Sequence, residues 1–253
     1  NNALPLDQIR LSSAEPFRLP WFLGYLGPVK ASLFVGKLEE DRDFSRAKVS
    51  GWRFGFAPSR YMEFGFNRMF QFGGKGRPTV NPGQYLGLLF SQGSDNPKNA
   101  QNVNNVMSFD GSFRIPDVQR YIVIARDAAL YFDFGWDDTL FGLIVPDKPG
   151  GIVGTYLAGI FGDPKLDLRI EYARTSDIQF THSGPTGNPL STHVVQSQSY
   201  GFDISYRFSS NSAMFFGYDF ARLKNENRKN ASDNGPARND SFFRVEFSRS
   251  FGQ

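Results

Sequence analysis

The chain has 253 residues, 27 of them Phe, 10 Tyr and 3 Trp, with no Cys and a formal net charge of +3. The absence of Cys excludes a disulfide framework and any thiolate site, and acids and bases are too well mixed to mark a nucleic-acid binder. Mean hydropathy is −0.38, and no stretch approaches the roughly 18 consecutive apolar residues of a membrane-spanning helix.

Dense aromatics with negative mean hydropathy fit strands that are apolar on alternate residues only. The chain opens Asn1-Asn2-Ala3-Leu4, without a charged segment followed by an apolar one. An exported barrel carries such a leader, so the expectation is a processed chain or one preceded by further residues. Weaker strands are read at 29–38 and 49–57. Met62, Phe64 and Phe66 then alternate with Glu63, Gly65 and Asn67. A long polar connection covers 73–103, and within it Asn81-Pro82 caps a short loop helix. Next come a strand at 104–115 and an ambiguous span at 118–125, expected to extend one or both neighbouring strands. Leu130, Phe132, Phe134 and Trp136 alternate with Tyr131, Asp133 and Gly135. A weaker strand follows at 150–161, then Leu166, Leu168, Ile170 and Tyr172 against Asp167, Arg169 and Glu171.

The clearest alternation sets Tyr200, Phe202, Ile204, Tyr206 and Phe208 against Gly201, Asp203, Ser205 and Arg207. It recurs in Met214, Phe216, Tyr218 and Phe220, and in Phe243, Val245 and Phe247 against Arg244, Glu246 and Ser248. Tight turns at 57–60, 162–165 and 209–211 contrast with long polar connections at 73–103, 176–197 and 224–239. Short turns on one side and long loops on the other separate the periplasmic and extracellular ends of an outer-membrane barrel. About ten antiparallel strands are expected, the last ending on the short-turn side, with aromatics toward lipid. Arg53, Glu63, Arg68, Asp110, Arg114, Asp133, Arg169, Glu171, Asp203, Arg207, Asp219, Arg244 and Glu246 would face the lumen, either as a plug of ion pairs or as a channel lining.

Several strings resemble the capsule-assembly Wzi family of outer-membrane proteins. They are Leu26-Gly27-Pro28, Gly36-Lys37-Leu38-Glu39-Glu40-Asp41-Arg42, Phe70-Gln71-Phe72-Gly73-Gly74-Lys75-Gly76-Arg77-Pro78, Ser94-Asp95-Asn96-Pro97 and Arg169-Ile170-Glu171-Tyr172-Ala173-Arg174-Thr175. Their order and spacing cover most of 1–175; beyond that the match is one of pattern. The resemblance implies a closed barrel of about 18 strands that acts as a lectin holding capsular polysaccharide at the cell surface of a Gram-negative bacterium. Residues 1–253 would be a single barrel domain matching the C-terminal portion of a longer one. Strand 29–38 would then be an unpaired edge or pair with N-terminal strands absent from this chain. Outer-membrane lipid and lipopolysaccharide would be the other partners.

Gly73-Gly74-Lys75-Gly76-Arg77 lacks the spacing and following helix of a phosphate loop and reads as a flexible strand-to-loop transition. Under the resemblance, Lys75 and Arg77 stand at the extracellular mouth, where cations meet an acidic glycan. Trp136-Asp137-Asp138 offers an aromatic face and hydrogen-bond acceptors to a sugar, and equally suits an aromatic girdle followed by solvated acids; the girdle is favoured. Adjacent strand Asp residues point apart, so no catalytic carboxylate pair is identifiable and no enzyme activity or cofactor is expected. His182 and His193 share one polar loop without acids at ligand spacing and read as solvated, not metal-binding. Two functions from different classes follow: a surface polysaccharide attachment protein, or a diffusion channel with a charged lumen.

Overall fold

A computed structural model describes residues 7–38, 45–75, 78–90, 104–136, 138–140, 145–147, 150–175, 196–224 and 238–249. Period-2 patterning sets the long strands: β3 (Pro28–Lys37), β4 (Lys48–Ser59), β5 (Met62–Phe72), β6 (Asn104–Ile115), β7 (Asp127–Trp136), β10 (Gly150–Ala158), β11 (Leu166–Arg174), β12 (Gln196–Ser209), β13 (Ser212–Lys224) and β14 (Arg238–Arg249). These are the strands that the alternation marks. Two more precede them, β1 (Asp7–Ser12) and β2 (Phe17–Arg18), and a small hairpin, β8 (Asp138–Leu140) with β9 (Val145–Asp147), stands between β7 and β10.

Every pairing is antiparallel, and the 12-stranded sheet runs in sequence order from β1 to β14, with β2 beside β3. The expectation that strand 29–38 forms the edge is corrected, because β1 lies along β3 with Leu11 opposite Leu33 and Ile9 opposite Val35. Residues 7–12 alternate as well, but one short run of two aliphatics is too weak a signal to separate from coil. Among the described residues β1 and β14 are the two margins, and the sheet does not close on itself.

Register places most of the strand phenylalanines on one face. Phe56 lies opposite Phe64, Phe54 opposite Phe66, Phe66 opposite Phe109, and Phe109 opposite Phe134. Further along, Phe202 faces Tyr218, Phe216 faces Val245 and Met214 faces Phe247. The rings pack against one another across strands, with centroids 4.7 Å apart for the tilted pair Phe66–Phe109 and 4.6 Å for the T-shaped pair Phe216–Phe243. Yet this face is open: Phe134 is 48% exposed, Tyr200 54% and Phe247 62%. A soluble sandwich would cover such a face with a second layer. Here most of the buried apolar side chains, among the described residues, gather in two small clusters at opposite ends of the strands.

One cluster forms where the short connections thicken into 3-10 turns. Val118, Ala125 and Ile160 pack against Ala128, Leu157, Leu166 and Leu168 on the aromatic face. The ambiguous span 118–125 is therefore a turn of its own. Strand 150–161 stops at Ala158, where left-handed Gly159 (φ 64°) redirects the chain. Gly27 (φ 75°) is needed for close approach as well as for its backbone, since a Cβ there would sit 2.0 Å from the Ala57 carbonyl oxygen.

The second cluster joins Phe70 and Phe72 to Leu88 of α1 (Pro82–Leu89). The expected Asn81 cap is present as a capping box, with Asn81 accepting from the Gln84 amide at 2.9 Å and Gln84 from the Asn81 amide at 3.0 Å. Sequence places this helix among the loops. The structure docks it on the aromatic face, with the Tyr85 hydroxyl 2.8 Å from that of Ser50 and the Trp52 indole donating to the Leu89 carbonyl at 3.0 Å.

Lipid contact on the aromatic face predicts asymmetric tolerance. Phe202→Arg should destabilise the folded state in vesicles by about 2–4 kcal/mol, whereas Ser205→Arg, on the opposite face, should change it by less than about 1 kcal/mol. Urea titration of the heat-modifiable gel shift would measure both, and the reverse order would refute the assignment.

Candidate functional site

The face opposite the aromatics carries three polar networks, centred on Asp110, Asp203 and Asp167. On β4, β5 and β6, Arg53 grips Asp110 with both amino groups, at 2.6 and 2.8 Å, and Asn67 donates to Asp110 at 2.7 Å and to Ser108 at 3.1 Å. Gly65 leaves the room for this pair, because a Cβ there would lie 2.7 Å from both Arg53 Nη2 and Asp110 Oδ1. Toward the far margin, Asp203 of β12 accepts from Arg169 Nε at 2.9 Å, again from Arg169 Nη2, and from Arg244 of β14 at 2.8 Å. Between them, Tyr131 donates to Glu171 at 2.6 Å. Near the short-turn end, buried Asp167 accepts from Tyr156 at 2.7 Å, from the Gly159 amide at 3.0 Å and from Arg207 at 3.3 Å.

These contacts run sideways between strands of the same wall. Each carboxylate is met by guanidinium or hydroxyl donors, the geometry that makes charged groups tolerable away from bulk water. An open polar cavity of about 460 Å³ lies over Tyr156, Arg169, Asp203, Arg244 and Glu246.

Of the expected inward charges, Arg68 is the exception. It lies opposite Trp52 on the aromatic face, is 2% exposed, and stacks its guanidinium 5.9 Å from the Phe70 ring centroid. The alternation begun by Phe64 and Phe66 continues through Arg68, Phe70 and Phe72, leaving Asn67, Met69 and Gln71 on the polar face. Side-chain charge suggested the wrong face where strand period decided it.

At the long-loop end, left-handed Gly73 (φ 62°) and Gly74 (φ 108°) turn the chain away from β5. They lead to exposed Lys75, whose amide donates to the Ser45 carbonyl at 2.9 Å. Lys75, Arg46 and Lys48 line a cavity of about 690 Å³ with Phe72 and Val80. Sequence reasoning passed over Arg46 and Lys48, which follow the acidic run Glu39-Glu40-Asp41 and gave no separate signal. Trp136 ends β7 on the aromatic face, opposite Met107 and half-buried, and its indole N–H has no acceptor among the described residues. Lys75 and Trp136 are not brought together, since β6 separates their strands. Asp138 begins β8, paired with Asp147. Arg77, Asp137, His182 and His193 lie outside the described residues.

A single antiparallel layer, aromatic on one face and laced with ion pairs on the other, is the wall of an outer-membrane β-barrel. The family model for the capsule assembly protein Wzi matches residues 1–205, and the chain belongs to that family. Among solved structures it is similar to Wzi of Escherichia coli, described as an outer-membrane protein involved in group 1 capsule assembly and a carbohydrate-binding β-barrel. The TM-score is 0.64 at 17% identity, over 97% of this chain and 58% of that one. Among curated proteins, an uncharacterized 55.8 kDa protein of the cps region of Klebsiella pneumoniae is 25% identical over 147 residues. That match spans 56% of this chain and 25% of the relative. The outer membrane is the location that fold and family share.

The Asp203 network gives a test of the polar wall. Asp203→Ala leaves Arg169 and Arg244 without their shared acceptor and should lower folded-state stability in vesicles by about 2 kcal/mol. Restoring neutrality with Arg169→Met in the same chain should recover part of that loss, as read by urea titration.

Proposed function

We propose that the protein attaches capsular or extracellular polysaccharide to the outer surface of the cell, non-covalently and without turnover. Family membership over residues 1–205 carries this reading. The wall it builds is a continuous antiparallel sheet, and its long connections all leave from one end of the strands, where a glycan outside the cell would meet them. Lys75 stands exposed there beside an open cavity. With Arg77, Trp136, Asp137 and Asp138 it forms the glycan-contacting rim in this proposal. Cations supply attraction for an acidic sugar, the indole a surface for stacking, and the carboxylates acceptors for hydroxyls. A polymer that repeats the same weak contact at many points needs no deep pocket, because avidity replaces it.

The wall, residues 1–253 taken as one domain, sits among outer-membrane phospholipid and lipopolysaccharide. The polar face contributes structure in this reading: its Asp110, Asp203 and Asp167 carboxylates are engaged by neighbouring side chains of the same wall.

Charge reversal at Lys75 and Arg77 should reduce retention of an acidic capsule roughly threefold or more, and raised salt should weaken wild-type binding in the same direction. Attached and released polysaccharide would be quantified on cells expressing each form, with folding checked by gel mobility. Unchanged attachment together with altered single-channel conductance would replace this reading with that of a diffusion channel.

A further inference from the structure

The short connections differ in kind. Between β12 and β13 the chain turns through Ser210 and Asn211, small polar residues suited to water. Between β6 and β7 it runs on from 116 to 126 and sets Tyr121, Ile122, Val123 and Ile124 in a row, all exposed. This longer connection is tied to the turn between β10 and β11. The Arg126 amide donates to the Ala158 carbonyl and the Phe161 amide to the Ile124 carbonyl, both at 2.9 Å. The two turns thus form one pad, whose underside, Val118, Ala125 and Ile160, packs on the aromatic face of the wall. Charges of the pad close on one another: Asp127 accepts from Arg126 Nε at 2.8 Å and from the Asp117 amide at 3.0 Å, and Arg120 lies 3.7 Å from Asp117. Outward it presents large apolar side chains. Val123 is 89% and Phe161 78% exposed, well above the 48% of Phe134 on the wall itself. Phe161 is also held in the left-handed region (φ 55°), which disfavours a side chain, yet it belongs to neither buried cluster. Strain kept without internal packing points to a contact outside the chain. Trp21 (φ 54°), exposed in the 3-10 turn before β3, repeats the combination at the same end of the strands.

A contiguous apolar surface of this kind marks a contact site. The pad stands on the lipid-facing side of the wall, so the medium that covers the aromatic face also reaches the pad. We propose that the joined turns are an interfacial anchor in the inner, phospholipid leaflet of the outer membrane. Tyr121, Ile122, Val123, Ile124 and Phe161 insert at the boundary between its headgroups and acyl chains. Burial of these side chains in the bilayer holds the short-turn end of the wall at that leaflet. The paired charges of the pad call for no particular headgroup, so the partner is the phospholipid boundary itself and not one lipid species. The anchor rests on the same membrane placement as the attachment reading, with the long loops outside the cell. It needs nothing of the polysaccharide.

The chain has no Cys, so each single-cysteine variant takes one spin label. Val123→Cys and Phe161→Cys would be labelled in the folded protein in phospholipid vesicles, beside Phe202→Cys as the lipid reference and Asn211→Cys as the water reference. Collision with oxygen reports lipid, and collision with a water-soluble nickel chelate reports solvent. The Val123→Cys and Phe161→Cys labels should meet nickel roughly threefold less often than the Asn211→Cys label, while meeting oxygen at least as often. Adding Ile122→Asp and Ile124→Asp to Phe161→Cys should return nickel collisions to the Asn211→Cys level. Nickel access at 123 and 161 equal to that of Asn211→Cys overturns the anchor. Shielding from both reagents also overturns it, since that marks a protein cover. Val123 and Phe161 are exposed, so the single labels decide even where gel mobility shows that the charged variant fails to fold. A Phe202→Cys label in water would sink the lipid-facing wall and the placement that the attachment reading uses. A Phe202→Cys label in lipid with the Val123→Cys label in water sinks this inference alone.

Discussion

Backbone hydrogen bonding in a medium without water governs this molecule. Hydrocarbon offers no partner to an amide or carbonyl, and each unsatisfied group costs several kcal/mol. A spanning segment must therefore either coil on itself or pair with neighbours on both sides. Alternation at period 2 rules out the helix, because a helix would bring charged and aromatic residues onto every face. The sheet is the remaining solution, and the unbroken ladder from β1 to β14 is its expression. Strands of nine to fourteen residues are long enough to cross the hydrocarbon core when tilted.

Once the sheet exists, its two faces meet opposite demands. The aromatic face gains by exposure to lipid, so rings that would be a liability in water need no covering layer. The other face must keep guanidinium and carboxylate groups away from lipid while packing them into a narrow space. Glycines at Gly65 and Gly217 make that possible, since a side chain at either would collide with the Asp110 or Asp203 network. The ion pairs contribute order within the wall more than net stability, because desolvation offsets most of their attraction.

The ends of the strands depart from this scheme, and the departures carry the functional proposals. At the short-turn end, 3-10 turns fold back over the aromatic face and bury Val118 and Ile160. At the loop end α1 does the same and covers Phe70 and Phe72. The wall is thus dressed at both ends on its outer side. The long connections leave from that same end of the strands, where Arg46, Lys48 and Lys75 border an open cavity beside the start of α1. Attachment of a polymer suits such a platform: the scaffold is one continuous sheet and recognition is left to segments that can differ in sequence without disturbing the ladder.

Sequence alone determined the ten long strands, their antiparallel order and the face of nearly every side chain in them, because the period of two is a geometric property of extended chain. The expected inward positions of Arg53, Asp110, Asp203 and Arg244 are those observed. The Asn81 cap was equally legible, since capping depends on residues three apart. Partner choice was not legible. Nothing local says that Arg53 reaches Asp110 across 57 positions, or that Asp203 is shared by two arginines from different strands. Arg68 shows where residue type misleads: its charge pointed inward, and the parity of its strand turned it onto the aromatic face. The docking of α1 and the separation of Lys75 from Trp136 were also decided by tertiary structure, because both depend on which strands become neighbours and how the connections between them fold back. Local pattern fixes what each residue prefers to face; only the assembled sheet fixes what it meets.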